Sequence, residues 1–420
     1  MIKLHETSLN KLSFYGICLV PITMFFSMKI NSIAIILAIS LGILDLFVNK
    51  NFKLLIPNRK DLLFIIYYLI LIISLFFSSN FENGLKVLEY NLSFLVMPVF
   101  FYRMKKVSKG EYNLLIKLFI FGAVAVSFIF LIIASFKYTA NEDISVFFYH
   151  SLSSPFDLHA VYFSIYICWA LIILMQKLNK KNFRKLSSII VFLVFILFLL
   201  SSKSIIVFAF FASIVVIYRK TQINRKVFLG TTFCLLIVFL LFSNPVKDRF
   251  NKITNFDSLT VLKDDSMTDF NKVNGLTLRL MFVKYAVLES ITNPLNFIFG
   301  QGTGDKHTFL DTVYEKHNMA KTINGKKVGY YGYNAHNQYV DTLVSIGIIG
   351  LLYLLGMIFK LINLNRTNYY ALSFYILLSW AFLFESILAV NKGIVFFVFW
   401  SIFFINNGYG RNNEDSNFRN

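Results

Sequence analysis

The chain has 420 residues, 57% of them hydrophobic and 15% charged, with 49 Phe and a formal net charge of +19. A soluble domain is roughly 45–50% apolar and about 25% charged, so a water-soluble globule cannot hide this much apolar surface. Disorder, which requires an apolar-poor and charge-rich chain, is excluded too. The composition is that of an all-α, polytopic membrane protein.

A spanning helix needs about 20 mostly apolar residues. In chain order the sequence predicts about twelve transmembrane helices, at 12–28, 30–48, 62–79, 84–102, 113–136, 157–176, 186–201, 203–218, 226–243, 337–359, 368–385 and 391–406. Lys3 and Lys11 precede the first with no small-residue cleavage site after it, which reads as an uncleaved helix. The fourth is the weakest, since it carries Lys86, Glu89 and Asn91. Cys18, Cys168 and Cys234 each stand alone in an apolar run and form no disulfide or metal-ligand pattern.

Charge placement orients the bundle. With the N-terminus inside, the short inside segments hold 24 of the 41 Lys and Arg residues and the short outside segments five. The positive-inside rule then puts both termini in the cytoplasm of a multi-pass protein. Most of the basic excess is a topology signal, not a nucleic-acid surface. The predicted divisions are 1–243 with helices one to nine, 244–336 as one long periplasmic loop subdomain, and 337–420 with helices ten to twelve and a cytoplasmic tail.

Polar groups at membrane depth are expensive, so the few present are informative. Most gather on the outside face. Asn334 is a candidate N-cap for the tenth span. At about 100° per residue, His336, Leu343, Gly347 and Gly350 fall within about 60° on a helix. The pattern is either a capping and packing sequence with a bystander histidine, or a reactive histidine on a glycine-lined face. Arg279 and Lys284 lie about 140° apart on their helix; each either snorkels or meets an anion. Lys203, among Ser201, Ser202 and Ser204, has the same two readings. Gly300-Gln301-Gly302-Thr303-Gly304 is a turn, because no Lys-Ser/Thr follows at phosphate-loop spacing. His159, Tyr162 and Glu385 lie near outside helix ends, as capping groups or as residues that contact or support a substrate. Asp264, Asp265 and Asp269 read as solvated loop charge, and no metal site is expected.

His336-Asn337, nine residues, Gly347, two residues and Gly350 resemble the signature of the O-antigen ligase superfamily, which includes O-antigen polymerases. The segment from Arg279 through Gly302 and Gly304 resembles the stretch that precedes this histidine in the family. Ser202-Lys203-Ser204 resembles the family's Ser-Arg-Gly-like turn, with lysine where arginine is common. The resemblance implies a metal-independent, cofactor-free glycosyltransferase of the bacterial inner membrane with a periplasmic active face. Its donor is a glycan on undecaprenyl pyrophosphate; its acceptor is lipid A core for a ligase, or another lipid-linked glycan for a polymerase. Membrane lipid is a partner and nucleic acid is not.

The chemistry of the residues agrees. Departure of a pyrophosphate needs cations, for which Arg279, Lys203 and Lys284 are the candidates. The acceptor hydroxyl needs a base near neutrality, for which His336 is suited. Asn337, Gly347, Gly350, Gly302 and Gly304 support the motif. A transporter or lipid-glycan flippase is a different class with similar span number. Against it, the halves show no repeat and the polar residues avoid the midplane.

Overall fold

The computed structural model describes residues 2–50, 52–179, 181–219, 266, 275–323 and 325–407. The expected span at 226–243, Asp264, Asp265, Asp269 and most of 244–274 lie outside the described residues. What is described is mostly helical, with one two-stranded sheet.

In chain order the helices are α1 (Ile2–Thr23), α2 (Met28–Asn49), α3 (Leu62–Leu75), α4 (Phe81–Asn91), α5 (Ser93–Phe100), α6 (Lys109–Asn141), α7 (Tyr149–Ser153), α8 (Ala160–Lys177), α9 (Phe183–Leu199) and α10 (Lys203–Arg219). After the undescribed stretch come α11 (Gly275–Ser290), α12 (Pro294–Phe299) and α13 (Lys306–Lys316), then strands β1 (Ala320–Ile323) and β2 (Lys326–Gly329). The chain closes with α14 (Gln338–Leu364), α15 (Tyr369–Phe382) and α16 (Asn391–Asn406). Among the described residues, four helices, α2, α6, α8 and α14, are long and apolar enough to cross a membrane; α3, α10, α15 and α16 are shorter apolar helices. The stretch 84–102 is not one helix. Its polar half forms α4 and its apolar half α5, with Leu92 between them.

Two helices make the centre. α8 is buried from Ala160 to Met175 and α16 from Lys392 to Ile405, as expected of helices apolar all round. The Tyr166 and Phe396 rings lie 4.5 Å apart and tilted, and the Trp169 and Trp400 rings lie 6.0 Å apart. The outer helices instead expose large apolar side chains, among them Ile33, Phe47, Phe121, Phe136 and Phe359, a surface suited to hydrocarbon rather than water.

The two ends of the bundle differ. At one, Lys60 Nζ donates to Ile405 O at 2.9 Å, Asn58 bonds Asn406, and Lys105 pairs with buried Asp61 at 3.0 Å. At the other, a second apolar core forms from α11, α13 and the start of α14, with Phe282, Tyr285, Tyr314 and Val344 inside it.

α14 is broken. Ile346 and Gly347 leave helical geometry, and Gly347 takes φ 70° and ψ −173°. A break frees carbonyls that membrane-depth structure must satisfy. The glycine run supplies the donors: Gln301 N donates to Val344 O at 2.8 Å and Gly302 N to Ser345 O at 3.1 Å. Gly304 N donates to Ser78 Oγ at 2.9 Å, and Asp305 accepts from the backbone of Ser79 and Asn80. The run is a turn, as expected, and it is also a lock. A Cβ on Gly347 would collide with the Ile298 carbonyl and Gly300 N. Beside the break, Lys306 Nζ and Asp341 Oδ2 form a buried ion pair at 2.8 Å.

Replacing Gly347 with Ala puts a side chain into a backbone region reserved for glycine, which costs about 1–3 kcal/mol before any clash. Unfolding of the purified Gly347→Ala protein in detergent is expected at least that much earlier in free energy. Stability equal to the parent would show that the break does not need glycine.

Candidate active site

The site forms at the end where α11 and α14 begin, α8 begins and α15 finishes. Between α15 and α16 the chain makes a turn, residues 383–390, and four side chains from three helix starts hold its backbone. Asn337 Nδ2 donates to Leu383 O at 3.1 Å. Arg279 Nε donates to Phe384 O at 3.0 Å. The Tyr162 hydroxyl donates to Ser386 O at 3.4 Å, and the Gln338 side-chain oxygen accepts from Leu388 N at 2.6 Å.

The grip turns Glu385 inward, to 6% exposure. Its Oε1 lies 2.9 Å from His336 Nδ1 and its Oε2 lies 3.5 Å from Arg279 Nη2. Against a carboxylate, which only accepts, Nδ1 is the donor of this hydrogen bond. His336 keeps 23% of its side chain exposed. Its backbone has φ 45°, held by an N–H donated to Asn334 Oδ1 at 2.9 Å. The ring lies 5.7 Å from Phe282 in a stacked arrangement and 6.0 Å from Tyr333.

Three expectations about this motif are corrected. The N-cap of α14 is Asn337, whose Oδ1 accepts from Tyr339 N and Val340 N; Asn334 instead closes the turn before it. His336 precedes the helix, and α14 breaks at Gly347, so His336, Leu343, Gly347 and Gly350 share no continuous helical face. Gly347 admits the backbone of residues 298–300, whereas the space at Gly350 is filled by the side chain of Ile346 from its own helix.

The other predicted residues divide. His159 and Tyr162 join the cluster. His159 caps α8 by accepting from Val161 N at 3.3 Å, and its ring lies 4.2 Å from that of His150. Lys203 opens α10, and the next residue is tied to α15 through Trp380 Nε1, which donates to Ser204 O at 2.9 Å. Lys284 sits 5.2 Å from the Tyr285 ring centroid rather than on Glu385. Gly302 and Gly304 spend their N–H groups on protein acceptors. Lys392 is a residue that the sequence reading counted only as charge. It is buried, with Nζ donating to Asp157 O at 2.8 Å, and its charge acts on His159. A lysine one residue inside an apolar run is the signal that could have found it.

His159 and Glu385 lie outside the helical segments, and both titrate low. Burial holds the His159 ring below its ordinary value, aided by His336, Arg279 and Lys392 and opposed by Glu385. For Glu385 burial pushes upward, but the His336 hydrogen bond and the charges of His336, Arg279 and His159 prevail and hold the carboxyl low. A depressed folded value gives stability that is complete above the unfolded value and is lost as pH falls through the folded one. Melting temperature in detergent is therefore expected to drop in two stages, below pH 6.5 for His159 and below pH 4.5 for Glu385. His159→Asn should remove the upper stage and Glu385→Gln the lower; a single acid transition unaffected by either would contradict the assignment.

Residues 186–355 match the O-antigen ligase family. The match runs from α9 into α14 and includes Lys203, Arg279, His336, Gly347 and Gly350, while Glu385 lies beyond it. No curated protein matches the chain. The apolar helices suit an integral membrane protein, and its segment 186–355 is similar to the O-antigen ligase family, whose members are glycosyltransferase-like enzymes.

Proposed function

We propose that the protein transfers a glycan from undecaprenyl pyrophosphate to a sugar hydroxyl of lipid A core, at the periplasmic face of the inner membrane. The observation that carries this reading is the 2.9 Å contact between His336 Nδ1 and buried Glu385, with Arg279 on the second carboxylate oxygen. Histidine oriented by a carboxylate is the arrangement of a general base acting on a hydroxyl.

In this reading Nε2 of His336 accepts the acceptor proton as the acceptor oxygen bonds to the anomeric carbon. The bond from that carbon to the pyrophosphate oxygen breaks, and undecaprenyl pyrophosphate leaves. Glu385 stabilises the imidazolium that results. Arg279, whose side chain is one-third exposed, faces the departing charge, with Lys203 and Lys284 as further cations for it. The reading assigns charge stabilisation to these side chains and calls on no metal. The periplasmic assignment rests on charge: the opposite end of the bundle carries Lys60, Arg103 and Lys105.

A strain deleted for the protein is complemented with parent, His336→Ala or Glu385→Gln, and its lipopolysaccharide is run on a gel. The parent should restore long chains on lipid A core. His336→Ala, at equal membrane level, should lower transfer by about 10²–10⁴-fold, with unattached lipid-linked glycan accumulating. Glu385→Gln should lose about 10²-fold or more by losing the charge that orients the ring. Core that carries a single repeat in the deletion would identify a polymerase instead. An unchanged pattern in the deletion would remove both activities.

A further inference from the structure

We propose that the β-hairpin and the residues after it form a saccharide subsite for the acceptor, with Tyr333 and Tyr330 as stacking surfaces and Lys321 as the contact for an anionic substituent. The inference rests on the glycosyl-transfer reading above and extends it to the identity of the group held beside His336.

A cleft of about 390 Å³ opens among Lys321, Val328, Gly329, Tyr330 and Tyr333. Its volume falls in the roughly 300–1,000 Å³ range of small-molecule sites. Strand register explains the lining. Lys321 and Val328 are directly paired, so both side chains stand on one face of the hairpin. The next pair, Thr322 and Lys327, stands on the other face, against Tyr331. Gly329 takes φ 99°, and its N-terminal neighbour strand lies so close that a Cβ would strike the Met319 carbonyl. The chain turns there and delivers Tyr330 to the cleft.

The two tyrosine rings lie 5.5 Å apart and nearly perpendicular, 87°. Phe282 braces both, at 5.5 Å from Tyr330 and 6.0 Å from Tyr333. Tyr333 nevertheless stays 44% exposed. A fixed, exposed Tyr333 ring beside a half-buried Tyr330 suits a pyranose, which has an apolar C–H face and a polar edge. A purely aliphatic ligand would leave the Lys321 ammonium unmatched. Lys321 lines the cleft and Lys326 stands on the same hairpin face, with no acid in residues 320–329, which selects an acidic or phosphorylated sugar. Position assigns the sugar to the acceptor. Tyr333 lines the cleft and also packs 6.0 Å from the His336 ring, so a sugar stacked on it brings its hydroxyl to the base, while Arg279 faces the donor charge from the Glu385 side.

The test uses the full chain in detergent and core oligosaccharide released from the deletion strain, with and without phosphatase treatment. Calorimetric binding of phosphorylated core should weaken about tenfold in Tyr333→Ala, the loss expected of about 1.4 kcal/mol of stacking, and stay near the parent in Tyr333→Phe. Lys321→Gln should weaken phosphorylated core alone. If Tyr333→Ala does not fold, charge reversal at exposed Lys321 (Lys321→Glu) reads the same site. Parent-like binding by Tyr333→Ala or, in its place, by Lys321→Glu overturns the inference. So does a rise in KM for the lipid-linked donor with none for core, which would make the cleft a donor subsite. Transfer by the parent with either of these results leaves the glycosyl-transfer reading standing. Core binding that depends on Tyr333 without any transfer removes that reading and keeps a glycan-binding cleft.

Discussion

A carboxylate buried at the end of a membrane bundle must be paired, and Glu385 is paired twice. His336 takes one oxygen and Arg279 the other. Removing either partner would leave a buried charge partly uncompensated, which is far costlier than the pair itself is stabilising. The turn at 383–390 therefore cannot relax independently of α11 or α14. Asn337 and Gln338, the residues that cap and open α14, bond the same turn. One carboxylate thus ties together segments that are distant in sequence and engages the histidine through its Nδ1.

The break in α14 serves this arrangement from the opposite side of the helix start. A continuous helix would have no carbonyls to offer residues 301 and 302. The interrupted one accepts their N–H groups at Val344 and Ser345, so the loop before α13 is stitched to the helix whose first turns carry the site. Lys306 and Asp341 add a buried ion pair across the same junction. Helix interruptions at membrane depth are tolerated only where protein satisfies the freed groups. Here the glycine run does so, leaving none of those N–H groups to cradle a phosphate.

The electrostatic setting follows from proximity. His336, Arg279 and His159 act on one buried acid, and burial, aided by the charges of His336, Arg279 and Lys392, holds the His159 ring below its ordinary value. That ring accepts from Val161 N and caps α8, so the burial that sets its titration also bears on the start of the central helix.

The apolar helices were legible in the sequence, because a segment of about 20 apolar residues satisfies its own backbone whatever surrounds it. α16 falls on its predicted range, 391–406, and the polar interruption in 84–102 marks where that stretch divides. The same local logic brought out His336, Asn337 and Gly347 by their spacing. Local logic failed where a contact crosses the fold. Periodicity assumes an unbroken helix, so it placed His336 on a face with Gly347, and only the approach of residues 298–300 explains the break. Glu385 meets His336 across 49 residues, and Lys306 meets Asp341 across 35. Which acid orients the histidine was decided by the tertiary structure alone, because a buried charge takes its partner from space and not from the chain.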